Sequence, residues 1–203
     1  SGQQVVLSLQ RMNKIRSLDA ANLTVIAEAG CILQQVQTHV EEAGYLFPLS
    51  LAAEGSCTLG GNLGTNAGGT QVVRFGNTRE LCLGLEVVTA QGEIWHGLSG
   101  LRKDNTGYDL RNLMIGSEGT LGIITEATLK LLPWPKFNAL LLVPFADPKD
   151  ACRAVAGIFQ DGNQPSALEF MERAAIELAM DFTGDRQLPL SSETAAHLLI
   201  EVD

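Results

Sequence analysis

GSCTLGGNLGTNAGGT, residues 55–70, carries six glycines in sixteen positions. The other positions are mostly small or polar, so the stretch offers little side chain. Glycine loses more conformational freedom on folding than any other residue, so a cluster implies backbone that bends sharply or lies very close to something. Gly60-Gly61-Asn62 and Asn66-Ala67-Gly68-Gly69 read as two tight turns. Successive amides in such turns face one concavity and receive an anion or ring oxygens. Ser56, Thr58, Asn62, Thr65 and Asn66 add short donors and acceptors. The alternative is a loop-rich surface with no ligand, and composition does not separate the two. A strand–loop–helix dinucleotide fingerprint and a Gly-Lys-Ser/Thr phosphate loop are both absent. A second cluster, Gly116-Ser117-Glu118-Gly119-Thr120-Leu121-Gly122, is either a turn with a solvated Glu118 or a second backbone wall against the same ligand.

Around these clusters the composition is that of a globular chain. Of 203 residues, 45% are hydrophobic and 18% charged, enough to fill a core. The net charge of −9 argues against a nucleic-acid partner, which needs clustered Lys and Arg. It leaves room for one phosphorylated cofactor held by backbone amides. Cys31, Cys57, Cys82 and Cys152 are far apart, as expected of free thiols in a reducing, cytoplasmic setting. His39, His96 and His197 are equally scattered, so no metal site is expected. No apolar run reaches the roughly 18 residues that span a bilayer. The chain opens on Ser1-Gly2-Gln3-Gln4 and stops in LLIEVD, and both ends are expected to continue in a longer polypeptide.

The apolar patterning predicts strands at 5–9, 24–29, 139–145 and 197–203. It predicts a hairpin over 83–97 around Gln91-Gly92, a long β-branched stretch over 119–135, and a turn at Asp19 and Asn22. Helices are expected over 31–43, stopped by Gly44, over the apolar end of 102–116, and over 147–162 with Asp147 as cap and Pro148 next. A further helix is expected over 165–182, with Leu168, Met171, Ala175 and Leu178 on one face. Pro133-Trp134-Pro135 marks a domain boundary, followed by strand, helix, helix, strand. Lys103, Asp104, Asn105, Tyr108 and Asp109 are read as capping and solvated groups. Arg74 and Arg79 would hold phosphates or make surface ion pairs.

Three stretches, SCTLGGNLGTNAGG (56–69), RFGNTRELCLGLEVVTAQGE (74–93) and RKDNTGYDLRNLMIGSEGTLGIITEATLKLLP (102–133), closely resemble the flavin-linked D-2-hydroxy-acid dehydrogenases. That family includes D-lactate dehydrogenases, the glycolate oxidase flavin subunit and D-2-hydroxyglutarate dehydrogenase. ALEFMERAAIELA (167–179) is similar to the start of its cap domain. The resemblance implies an α+β chain: the second subdomain of a vanillyl-alcohol-oxidase type FAD-binding domain (1–134), then the start of an antiparallel-sheet cap domain (135–203). It implies FAD as cofactor, a small 2-hydroxy acid as substrate and a separate electron acceptor. By motif, Pro48, Ser56, Gly60, Gly61, Asn62, Thr65, Asn66, Gly68 and Gly69 correspond to flavin and pyrophosphate contacts. Glu118, Gly119, Gly122 and Ile123 correspond to contacts with the rest of the cofactor. The family's pyrophosphate loop and its histidine-rich metal and catalytic motif have no counterpart in this sequence, so no catalytic base is assigned. The rival readings are another oxidase of the same superfamily and a non-catalytic module that kept the fold.

Overall fold

Runs of β-branched and leucine residues, cut by Gly, Pro and Asn, give short strands, and the helices lie where apolar residues recur every three or four positions. The computed structural model describes residues 2, 5–184 and 190–203. In chain order the elements are β1 (Ile15–Asp19), β2 (Thr24–Glu28), α1 (Leu33–Glu42), β3 (Tyr45–Leu46), α2 (Leu59–Thr65), α3 (Val72–Phe75), α4 (Thr78–Leu81), β4 (Cys82–Val88), β5 (Ile94–Gly97), α5 (Leu110–Met114), β6 (Ile123–Lys130), β7 (Leu132–Pro133), β8 (Ala139–Phe145), α6 (Pro148–Gln160), β9 (Ala167–Glu172), α7 (Arg173–Thr183) and β10 (Ala196–Val202). They form two units: residues 1–69 with 75–134, and residues 70–74 with 135–203. Among the described residues no helix is long and apolar enough to cross a membrane.

The first unit is built on an antiparallel sheet of order β1-β2-β6-β4-β5. Val25 and Ala27 of β2, Leu85 and Val87 of β4, and Ala127 and Leu129 of β6 are all fully buried. They pack in one core with Leu33, Val36 and Val40 of α1, Leu59 and Leu63 of α2, and Phe47 and Leu49. Each of these Val, Leu and Phe side chains contributes about 1.5–3 kcal/mol on burial. The other face carries a row of ionisable groups. Glu28, Glu126, Glu86 and His96 are cross-strand neighbours on β2, β6, β4 and β5. Arg16 pairs with Glu28 at 2.5 Å and Glu126 at 3.0 Å, and His96 Nδ1 lies 2.7 Å from Glu86 Oε2. Arg16 offsets the repulsion of like charges set side by side, and His96 gives Glu86 a hydrogen-bonding neighbour.

The second unit holds the sheet β8-β10-β9, antiparallel throughout. Asp147 caps α6, its Oδ1 accepting from Lys149 N at 2.8 Å, with Pro148 in the first turn. Arg74 pairs with Asp203. The whole is an α+β chain with antiparallel sheets, the class that the resemblance implied.

Four local expectations are corrected. Residues 5–9 form no strand; Val5 and Val6 are at least 90% exposed. β1 went unread because Arg16 and Asp19 interrupt its apolar alternation. The helix expected over 165–182 begins only at Arg173, because all of Ala167–Glu172 pairs with Ala196–Glu201 of β10. Leu168 and Met171 fit a helix by spacing, but the ladder with β10 outweighs that local preference. The order is therefore strand, helix, strand, helix, strand. Finally, Gly60-Gly61-Asn62 is not a tight turn but part of α2.

Candidate functional site

Three glycines in the seven residues of α2 cost about 1 kcal/mol each relative to alanine, so the helix needs outside support. Leu59 N donates to Cys31 O at 2.9 Å and Gly60 N to Ala29 O at 2.7 Å. Thr58 caps the helix, its Oγ1 accepting from Gly61 N at 3.4 Å. Leu59 and Leu63 are fully buried beneath it. At the other end Asn66 takes the left-handed conformation (φ 50°), and its Oδ1 accepts from Arg79 N at 3.0 Å.

Helical spacing puts Gly60, Gly61 and Gly64 on one face of α2. Opposite stands the 116–122 turn. Two main-chain bonds join them: Gly116 N donates to Leu63 O and Glu118 N to Gly64 O, each at 2.9 Å. Gly116, Glu118 and Gly119 all have positive φ (81°, 51° and 77°), which lets the chain reverse within four residues. Between the two glycine clusters lies a cleft of about 190 Å³. Gly60, Gly61 and Gly64 line one side, Ser117, Gly119, Gly122 and Ile123 the other, with Leu9 and Ile124 completing it. The 116–122 cluster is thus a second backbone wall, and Glu118 is exposed as well.

The glycines are bare for different reasons. A Cβ on Gly60 would stand 2.8 Å from Ala29 Cβ, one on Gly69 1.7 Å from Ser50 O, and one on Gly122 2.6 Å from Val87 Cγ1. These three are required by the chain's own packing. A Cβ on Gly64 would meet nothing within 4 Å, and one on Gly61 only Thr58 Oγ1 at 3.3 Å. Gly64 was not among the residues named from sequence. Its signal was the i, i+3/i+4 spacing from Gly61 and Gly60, readable only once 59–65 is known to be helical.

The other named positions stand around the cleft rather than in it. Asn62 is buried, its Nδ2 3.4 Å from Cys57 Sγ. Thr65 Oγ1 donates to Gly61 O at 3.0 Å and exposed Ser56 Oγ to Ala53 O at 3.3 Å. Pro48 is buried between Phe47 and Leu49, and Gly68 is exposed past the end of α2. The amides of residues 59–62 are all bonded within the protein, so α2 offers no free donors for an anion. Gly119 N–H has no partner among the described residues.

A second, more polar cavity of about 210 Å³ lies by the 99–111 loop. Arg102 Nη2 donates to Asn22 O and Leu23 O (3.3 and 3.2 Å), and Arg111 Nη1 donates to Cys82 O at 2.9 Å. Asp109 caps α5, accepting from Asn112 N at 3.0 Å, and this bond, with Arg111 beside it, holds its carboxyl below the usual range. The polar run is a pinned, capped loop, as expected. Burial pushes the Cys82 thiol up to about 12.

A glycine-walled, largely apolar slot with few free donors fits a flat ring system lying against main chain. Residues 1–97 match the family described as FAD binding domain, and residues 134–203 the family described as FAD linked oxidases, C-terminal domain. The chain is 41% identical over 202 residues to D-2-hydroxyglutarate dehydrogenase, mitochondrial, of Arabidopsis thaliana, covering 98% of this chain and 36% of that one. It is 40% identical over 205 residues to a D-lactate dehydrogenase of Anaerostipes hadrus, covering 100% of this chain and 43% of that one. The fold is shared with a solved alkyldihydroxyacetonephosphate synthase (TM-score 0.79, 22% identity, 95% of this chain and 37% of that one). The chain thus spans well under half the length of these relatives. With both domains matched in order along the chain, it belongs to the FAD-linked oxidases, and the curated relatives named here are D-2-hydroxyglutarate and D-lactate dehydrogenases.

Proposed function

We propose that this chain is the flavin-holding part of an FAD-dependent dehydrogenase that oxidises a D-2-hydroxy acid to the 2-oxo acid and passes the electrons to a separate acceptor. The substrate class is D-2-hydroxyglutarate, D-lactate or glycolate, and a cytoplasmic setting belongs to the same proposal. Residues 1–134 act as the second subdomain of the FAD-binding domain and 135–203 as the start of the cap that meets substrate. The observation that carries the reading is the pair of main-chain bonds, Gly116 N to Leu63 O and Glu118 N to Gly64 O, which close two bare walls on one cleft.

FAD, when bound, supplies the capacity to accept a hydride from the substrate's α-carbon. The chain's own residues position and shield. Gly61 and Gly64 let a ring approach the α2 backbone, Gly119 presents a free N–H, and Leu9, Ile123 and Ile124 keep water from the slot. Gly60 and Gly122 hold the walls in place through their close packing against Ala29 and Val87, and Gly69 packs on Ser50 beyond the end of α2. Of the residues matched by motif, Thr65, Asn66 and Glu118 support these walls by hydrogen bonds, and Pro48, Ser56, Asn62 and Gly68 stand around the cleft. Because the α2 amides are already bonded, this cleft takes the ring portion, and the pyrophosphate finds its donors outside α2.

The test uses the whole polypeptide. The proposal expects bound flavin, bleached anaerobically by one or more of D-2-hydroxyglutarate, D-lactate and the achiral glycolate but not by the L-enantiomers of the first two, and reoxidised when an artificial acceptor dye is then added. A purified whole protein with no flavin would favour the non-catalytic module.

A further inference from the structure

We infer that Arg79 is the positioning residue of the cleft, acting on the cofactor through the two glycine walls without touching it; this rests on the flavin reading above. Arg79 belongs to α4, a single turn locked by a reciprocal cap in which Asn77 N donates to Glu80 Oε2 at 2.8 Å. Its backbone N–H donates to Asn66 Oδ1, which fixes the left-handed residue that ends α2. Its guanidinium reaches the other wall, with Nη1 donating to Asn112 O and Nη2 to Ile115 O, the latter at 2.5 Å. Nη2 also lies 3.0 Å from the point where a Cβ on Gly116 would stand, so Gly116 is bare partly to admit it.

One residue thus holds the C-terminal end of α2 by its main chain and the entry to the 116–119 turn by its side chain. The two bonds that close the cleft, from Gly116 and Glu118 to Leu63 and Gly64, lie between these anchor points. Arg79 makes no ion pair with a carboxylate among the described residues, and both of its terminal nitrogens are turned onto protein carbonyls. A guanidinium donates to two separate carbonyls from one rigid plane, whereas an ammonium is a point donor on a flexible stem. The sequence offered two roles for Arg79, phosphate contact or surface ion pair, and the geometry shows a third.

The experiment compares Arg79→Met, Arg79→Ala and Arg79→Lys with the unaltered whole polypeptide by residue-resolved hydrogen exchange and FAD titration. Arg79→Met is expected to speed exchange at Gly116 and Glu118 and weaken FAD binding, each by about tenfold or more, as for loss of a charge-assisted hydrogen bond. Exchange at Leu85 and Ala127 should be unchanged. Millimolar guanidinium ion should restore part of the FAD affinity of Arg79→Ala, and Arg79→Lys should recover little. Unaltered exchange at Gly116 and Glu118, full recovery by Arg79→Lys, or slowed FAD release with no change in affinity would each overturn the inference. Should Arg79→Met fail to fold, Arg79→Lys decides through the same two readouts. An unaltered protein that takes up no FAD defeats the flavin reading alone, since the exchange pattern still reports on the positioning.

Discussion

Gly60 and Gly64 sit one helical turn apart on α2 and have opposite surroundings. A methyl group at Gly60 runs into Ala29, while one at Gly64 enters open space. Gly60→Ala should therefore lower stability by about 1–3 kcal/mol through overpacking. Gly64→Ala should leave stability equal or raise it by up to about 1 kcal/mol through helix propensity, yet weaken FAD binding. Urea unfolding paired with flavin titration of the two variants checks this, and equal loss of affinity with equal loss of stability would count against the distinction. Cys82 gives a second test at this scale. Its thiol stays protonated in the fold up to about 12, against 9.0 for an ordinary thiol. A raised folded value gives stability that is complete below pH 9 and lost as pH rises toward 12. Between these limits the loss is about 1 kcal/mol per pH unit. Cys82→Val should flatten that alkaline decline relative to the unaltered chain, measured as urea midpoints at pH 7.5 and 10.5.

Elements were legible where their local chemistry agreed with their tertiary setting. The 83–97 hairpin showed in its β-branched runs, and Gly92, with φ of 81°, forms the turn that its residue type favours. Helix α6 showed in Asp147-Pro148, which cap and start it as the sequence implied. Strand β9 did not show, because its spacing also suits a helix and only the partner β10 decides. Nor did α2, whose glycines oppose helix formation and whose support comes from Ala29, Cys31 and the 116–118 turn. The bare stretch pointed to close approach, but part of that approach is to Ala29 and Ser50 of the same chain rather than to a ligand. Helix α5 carries its own test. Asp109 supplies its cap and also accepts from Arg111 and from Asn112 Nδ2. Asp109→Ala should cost about 1–2 kcal/mol. Because the folded carboxyl is held below its ordinary value of 3.8, that contribution is present above pH 4 and fades as pH falls through the lower folded value. Acid unfolding profiles of the two proteins should converge at low pH.

For the whole molecule, the two family matches fall largely on different units, the FAD binding domain match on the first and the FAD linked oxidase C-terminal match on the second. In the first unit's sheet three glutamates stand side by side; Arg16 spans two of them, His96 meets the third, and the β4–β6 register shifts beside that third glutamate, between Glu86 and Val87. Arg16→Met should destabilise this unit by about 1–2 kcal/mol, leaving buried Glu28 without its charged partner, as read from thermal unfolding. The central claim is that the cleft between Gly61-Gly64 and Gly119 seats the flavin ring. A crystal structure of the whole polypeptide with FAD bound measures this most directly. The account predicts ring atoms in van der Waals contact with the main chain of Gly61, Gly64 and Gly119. A flavin ring seated instead by the 99–111 loop, with the glycine cleft filled by protein side chains, would contradict it.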